Sequence, residues 1–176
     1  YFFICIISLI GFQNQLFANS VEPIVRVLIK IDNKLRVRSD SSIPLIIKGE
    51  QFYNKKIKGL TIKSVDNKKV LFFDKDSKTY YDLNKNNFLI KSFDKRGIWV
   101  DDKRYSGIIN IFSKNGQIYV VNKIGIEQYL SSVVGAEMPH KWPLEALKAQ
   151  AIASRTYALK KDGNNLYDID STQRDQ

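Results

Sequence analysis

Thiol and imidazole chemistry is almost missing from this chain, which holds one cysteine and one histidine in 176 residues. Cys5 sits inside an apolar opening run and His140 stands alone. Neither a disulfide framework nor a closed zinc site of Cys/His type can be assembled from that supply, so no metal and no cofactor is expected. Acidic residues are also scarce, 18 against 28 Lys and Arg, for a formal net charge of +10. The basic excess is spread from Lys30 to Lys123 and interleaved with Asn and Ile instead of packed into one block. That is the mark of a biased base composition more than of a nucleic-acid footprint, and no nucleic-acid partner is expected. The sequence has no internal repeat and no low-complexity linker.

No apolar stretch reaches the roughly 20 residues that a membrane-spanning helix needs. The longest is the opening YFFICIISLIGF, followed by QNQLFANS with Ala18 at a small-residue cleavage point. Residues 1–18 therefore read as a secretory signal peptide or anchor, and the protein is expected to be exported to the periplasm or cell envelope. Membrane contact is expected only through an uncleaved N-terminal segment. An initiating Met and a basic residue are missing ahead of the run, so the first residues of the gene product are expected to lie outside it. About 158 residues then remain, enough for one domain with a real core or for two small ones. For an exported protein of this charge, attraction to an anionic envelope polymer is the natural electrostatic reading.

From Val21 to about Trp99 the sequence reads as strands. IVRVLIKI, LRVRS, PLIIK, KIKGLTIKSV, KKVLFF, TYYDL, NNFLIKSF and GIWV are short, β-rich and separated by turn chemistry such as Asp32-Asn33. No catalytic constellation is visible there, and residues 21–100 are expected to form an accessory module. Phe52, Tyr53, Tyr80 and Tyr81 could stack on sugars or serve as core and cross-strand pairs. Ile109 and Ile111, then Ile118 and Val120, alternate about Lys114-Asn115-Gly116, the pattern of a hairpin. That hairpin leads into two helical patterns, so residues 101–176 are expected to fold as one unit. The fold class is α+β: a small β-rich N-terminal module, then a β-hairpin and a helix pair.

The first helical stripe is Ile126, Tyr129, Leu130, Val133 and Val134, and it is expected to end at Gly135. The second starts with Pro143 at the first helical position and Glu145 in the first turn. Leu144, Leu147, Ala151, Ile152, Arg155, Ala158 and Leu159 recur at threes and fours, an apolar face with one guanidinium in it. Lys160 and Lys161 suit the carboxyl end, and Gly163 can supply a left-handed cap. Between the helices Glu137 is expected in a short turn beside Met138, His140 and Trp142. If apolar side chains cover it, the carboxyl group stays protonated near neutrality, as a general acid requires. If they do not, it is a solvated turn carboxylate.

The stretch GAEMPHKWPLEALKAQAIASRTYAL resembles the signature of the stage II sporulation protein D (SpoIID/LytB) domain family, whose members carry similar E-M-P, W-P-x-E-A-L-K-A-Q-A and R-T-Y-A-L runs. The likeness extends from Tyr105-Ser106-Gly107 through Val120 to Asn122 and Glu127 to Leu130, then on to Tyr167, Asp168 and residues 172–176. It covers roughly residues 100 to 176. Family members continue past the position of Gln176, so the chain is expected to be a fragment, with the apolar face of Leu144 to Leu159 short of its covering.

The resemblance implies an exported protein acting on peptidoglycan glycan strands, as a lytic transglycosylase with the Glu of the E-M-P motif, Glu137, as its one general acid and base. A hydrolase needs a second carboxylate; in a transglycosylase the muramic acid's own 6-hydroxyl attacks, and one Glu suffices. Gln150, Tyr157, Thr172 and Gln176 match family positions that could bind sugar hydroxyls or N-acetyl groups. Trp142 could stack on a sugar or staple the helix start. Arg155 could bind a lactyl carboxylate or pair with a carboxylate such as Asp168 to fix the fold. Some family members bind zinc through Cys and His at positions that hold Asp170, Arg174 and Asp175 here, and arginine cannot ligate a metal. The alternative that the resemblance implies is a non-catalytic modifier that stimulates an N-acetylmuramoyl-L-alanine amidase. A structural envelope protein, with Glu137 incidental, is a third reading.

Overall fold

In a computed structural model, the described residues are 21–40, 43–49, 52–65, 69–74, 79–82, 87–139, 141–161 and 163–171. The expected leader, residues 1–18, lies outside them, as do His140, Thr172 and Gln176.

Alternating sequences pair into two sheets. One contains β1 (Ile24–Asp32), β3 (Leu45–Gly49), β4 (Phe52–Ile57), β8 (Phe88–Ser92), β11 (Ile108–Lys114), β12 (Gln117–Gly125) and the short β13 (Ile169–Asp170), in the order β13-β1-β12-β11-β8-β3-β4. The other contains β2 (Lys34–Arg38), β5 (Gly59–Val65), β6 (Lys69–Asp74), β7 (Thr79–Asp82), β9 (Ile98–Val100) and β10 (Lys103–Tyr105), in the order β10-β9-β2-β5-β6-β7. Strands from both sides of residue 100 share the first sheet. β1 pairs antiparallel with β12 from Ile24↔Gly125 to Asp32↔Ile118, and β8 pairs with β11. The β11–β12 hairpin turns at Asn115 and Gly116, with φ of 53° and 74°, the left-handed pair that a two-residue hairpin favours.

Two apolar clusters follow from the period-2 alternation. Leu35, Val37, Leu60 and Ile62 of one sheet meet Leu45, Ile47, Ile90, Ile109 and Ile111 of the other, all at most 1% exposed. At about 1.5–3 kcal/mol for each side chain taken from water, this cluster is the main source of stability. The second joins Val25 and Val27 of β1, Ile124, Ile126, Leu130, Ala158 and Ile169. A register shift between Leu28 and Lys30 re-aims β1, and Ile29 touches both clusters.

Helix α1 spans Ile126–Glu137 and α2 spans Leu144–Lys160. The expected stop at Gly135 is corrected: the helix passes through Gly135 and Ala136. Met138 breaks it, extended at φ −113° and ψ 134° with its N–H still bonded to Val134 O. Pro139 is the cause, since its ring excludes the helical conformation for the residue before it. At the other end Gly125 offers no side chain, and Glu22, far upstream, accepts the Glu127 N–H at 2.9 Å. A carboxylate there also complements the positive end of the helix.

The apolar face of α2 is largely open, in line with the expectation that it is short of its covering. Ala158 is its buried residue, whereas Leu144, Ile152 and Leu159 are exposed. Gly163 does not take the left-handed conformation of a cap among the described glycines of positive φ. Its role is close approach: a Cβ there would stand 2.5 Å from Asp168 Cα.

Candidate functional site

A groove of about 670 Å³ runs between the helix pair and the β13-β1-β12 edge of the first sheet. Helical spacing selects its walls. Tyr129, Ser132, Val133, Ala136 and Glu137 share one face of α1; Gln150, Ala153, Ser154 and Tyr157 share one face of α2. Its floor includes Val27, Ile29, Asn122 and Ile124, and Arg104, Tyr105, Ser106 and Asp170 complete the rim.

Glu137 is the last residue of α1, not a turn residue, and it is exposed to the groove instead of covered by its sequence neighbours. Of the two alternatives for its surroundings, the uncovered carboxylate is the one found, since Trp142 is half exposed and does not line the groove. What holds Glu137 comes from the other helix: Gln150 Nε2 donates to its Oε2 at 2.8 Å. A neutral amide fixes one carboxylate oxygen without cancelling the charge. The second oxygen remains for chemistry.

Tyr129 was legible only as a member of the α1 stripe, yet it is central here. Burial pushes its hydroxyl above the ordinary tyrosine value, and the Glu137 carboxylate and Tyr157 push it further. Lys161 opposes that shift, and Tyr129 lines the groove with Glu137 and Tyr157. Tyr105 is pushed up by burial in the same way. Tyr157 lines the groove, and its hydroxyl accepts from Lys161 Nζ at 2.7 Å. In the floor, Asn122 is 5% exposed and its Oδ1 has no hydrogen-bond partner among the described residues. Buried carbonyls of that kind are costly and mark a polar spot in an apolar surface.

Two charged clamps frame the groove. Arg155 donates to both oxygens of Glu127, at 2.7 and 2.6 Å, and ties α2 to α1. It does not line the groove, and its carboxylate is Glu127 instead of the suggested Asp168. Asp168 belongs to Arg26, whose backbone N–H donates to Oδ2 at 2.8 Å while the guanidinium donates to Oδ1 at 2.5 Å. Arg26 also donates to the carbonyls of Asn164 and Asn165. These bonds lay β13 parallel to β1 and bring Asp170 to the rim. Burial alone would raise the Asp168 carboxyl, but the bonds from Arg26 outweigh it and hold the group below its ordinary value.

Of the residues singled out from the sequence, Glu137, Gln150 and Tyr157 converge on the groove, and Trp142 and Arg155 do not. Thr172 and Gln176 lie outside the described residues, as do the side chains of Phe52, Tyr53, Tyr80 and Tyr81. Sequence reasoning missed Tyr129, Asn122 and the rim position of Asp170. No group of three His, Cys, Asp or Glu side chains converges among the described residues.

Comparison with known proteins places these elements. Residues 114–176 match the family described as SpoIID, Stage II sporulation protein. An uncharacterized protein of Brachyspira hyodysenteriae is 40% identical over 84 residues, which cover 46% of this chain and 23% of that protein. The amidase enhancer of Bacillus subtilis is 44% identical over 78 residues, 43% of this chain and 11% of that protein. The chain thus spans less than a quarter of the length of either relative. No solved structure matches it. Residues 114–176, which carry β12, both helices and β13, are thus the part of the chain that is similar to the SpoIID family.

Proposed function

We propose that this is an exported protein of the cell envelope that cuts peptidoglycan glycan strands as a lytic transglycosylase, with Glu137 as its single general acid and base. The observation that supports it best is the bond from Gln150 to Glu137 Oε2 at the mouth of the groove, which leaves Oε1 directed by a fixed partner and open to a substrate. Once a bound strand covers Glu137 and excludes water from it, the carboxyl in its protonated form gives its proton to the leaving glycosidic oxygen as the C1–O bond breaks. The 6-hydroxyl of the same muramic acid then closes on C1, and its proton passes to the carboxylate. No water is consumed, and Glu137 ends as it began. In this reading Gln150 and Tyr157, with Tyr129 beside them in the groove lining, bind sugar hydroxyls or N-acetyl groups.

Asp170 lines the same groove, so a two-carboxylate hydrolysis is the chemical competitor. The products separate the two: ring closure yields 1,6-anhydro ends and hydrolysis yields reducing ends.

A second reading is favoured by the likeness to the amidase enhancer. In it the protein stimulates a cell-wall amidase and Glu137 is a contact residue. Replacing Glu137 by Gln keeps its shape and removes the exchangeable proton. Under the enzymatic reading Glu137→Gln loses about 100-fold or more in strand cleavage while strand binding changes little. Under the modifier reading stimulation of the amidase survives the substitution, and neither form cuts. Cleavage undiminished in Glu137→Gln contradicts the catalytic role.

A further inference from the structure

One side chain in the groove floor is polar where packing alone favours an apolar one. Asn122 of β12 stands between Val27 of β1 and Ile109 of β11 in the register, and Ile124 follows it on the same face of the sheet. It is 5% exposed, and among the described residues nothing bonds to its Oδ1. A valine or a leucine would fill the same place without the cost of a buried, unpaired carbonyl. Room is also kept beside the amide. Gly107, at φ 94°, carries no side chain where a Cβ would stand 3.2 Å from Asn122 Oδ1. The amide holds an NH2 donor and a carbonyl acceptor, and a half-turn about Cβ–Cγ presents either one to the groove that Asn122 lines.

The group that suits this spot is itself an amide with a small apolar end. A hydroxyl would pair with Asn122 but leave Val27, Ile29 and Ile124 without an apolar partner. An ammonium would fare worse. The charged side chains that line the groove, Arg104, Glu137 and Asp170, stand at its mouth and rim, so the floor offers no carboxylate among the described residues. An acetamido group meets both demands, pairing its N–H or C=O with the amide and laying its methyl group on the aliphatic floor. We propose that Asn122 is a specificity residue of the groove, which reads the 2-acetamido group of an amino sugar and rejects the same sugar with a free amine or a hydroxyl at that position. The inference rests on the reading of the groove as a glycan site. It adds that strands lose their hold on the protein once they are de-N-acetylated at the sugar above Asn122.

Three oligosaccharides that differ only at the 2-position test this: β-linked tetramers of N-acetylglucosamine, of glucosamine and of glucose. The glucose tetramer is the decisive comparison, because it is neutral and the net positive charge of the chain by itself disfavours the amine. Binding is measured by calorimetry for the parent, for Asn122→Val, which removes the amide, and for Asn122→Asp, which places a carboxylate in the floor; unchanged thermal unfolding checks each fold. The parent should bind the acetamido tetramer at least about tenfold more tightly than the other two, the worth of one shielded hydrogen bond. Asn122→Val should lose that preference, and Asn122→Asp should shift it toward the amine. If either variant unfolds, the side-chain amide resonances of Asn122 in the parent decide, moving with the acetamido tetramer and not with the glucose tetramer. Absent binding or no preference in the parent, a preference kept by Asn122→Val, or unmoved Asn122 resonances overturns the proposal. Cleavage of glycan strands, before and after de-N-acetylation, is scored separately. If the parent shows the preference and cuts neither strand, the enzymatic reading alone falls; if it cuts both alike, the role of Asn122 alone falls.

Discussion

Replacing Asp168 by Asn should loosen residues 163–171 from the body without unfolding the sheets. The side chain accepts from the Arg26 backbone and from its guanidinium, with the two side chains 22% and 32% exposed. Charge-assisted hydrogen bonds contribute about 1.5–3 kcal/mol when well shielded. Partial exposure at both ends brings the expected loss on neutralisation to about 2 kcal/mol. That is roughly a 30-fold rise in the population of the opened segment. The readout is amide hydrogen exchange, normalised to intrinsic rates, at Asp168, which bonds Arg26 O, and Ser171, which bonds Leu28 O. The pH dependence follows from the same bonds. The carboxyl titrates lower in the folded protein than in the unfolded chain, so its contribution is complete above the unfolded value near 3.9 and drains away as pH falls through the folded one. The parent should therefore show a rise in normalised exchange below about pH 4 that Asp168→Asn lacks. Equal exchange in both proteins at neutral pH would refute the assignment of this ion pair as the tether of β13.

Gly125→Ala should destabilise α1 by about 1–2 kcal/mol, because a Cβ there would meet the Glu22 carboxylate at 2.5–2.7 Å and displace its bond to Glu127 N–H; thermal unfolding of this variant and of Glu22→Ala, with a double variant that is not additive, checks it. Gln150→Ala should lower the cleavage rate at saturating strand about tenfold and shift the alkaline limb of the pH–rate profile, along which the general acid loses its proton, whereas a substitution that acted only on folding would leave that profile in place. Asp170→Asn should keep cleavage within a few-fold of the parent if one carboxyl does the chemistry, and a loss as deep as that of Glu137→Gln would favour a pair.

Much of this architecture was legible in local patterns. The Asn115-Gly116 turn and the strand alternation depend on neighbours in sequence, and the structure has them where the pattern places them; α2 begins at Leu144, one residue after the expected first helical position, because Pro143 is extended and serves as its N-cap. What was hidden depends on distant residues. Nothing in Ile24–Asp32 announces that its partner is Gln117–Gly125, or that Glu22 is brought to the start of α1. The end of α1 was misjudged because Gly135 was weighed over Pro139, although a glycine in a helix only lowers its stability while a proline bars the preceding residue from it. Glu137 was found through its motif, but its environment was not. A helix end facing Gln150 differs from a turn under a tryptophan, and only the α1–α2 packing sets that. Tyr129 escaped for the same reason, since an apolar stripe does not reveal which of its members faces a groove.

The claim at the centre of this account is that one carboxyl group, held by Gln150, runs a reaction without water. Purified glycan strands free of stem peptides, incubated with the protein and analysed by mass spectrometry, report on it through the ends they carry. Fragments ending in 1,6-anhydro muramic acid, formed by the parent and at least about 100-fold less by Glu137→Gln, are the predicted result. Reducing ends in place of anhydro ends, or anhydro ends in equal amount from Glu137→Gln, would contradict it.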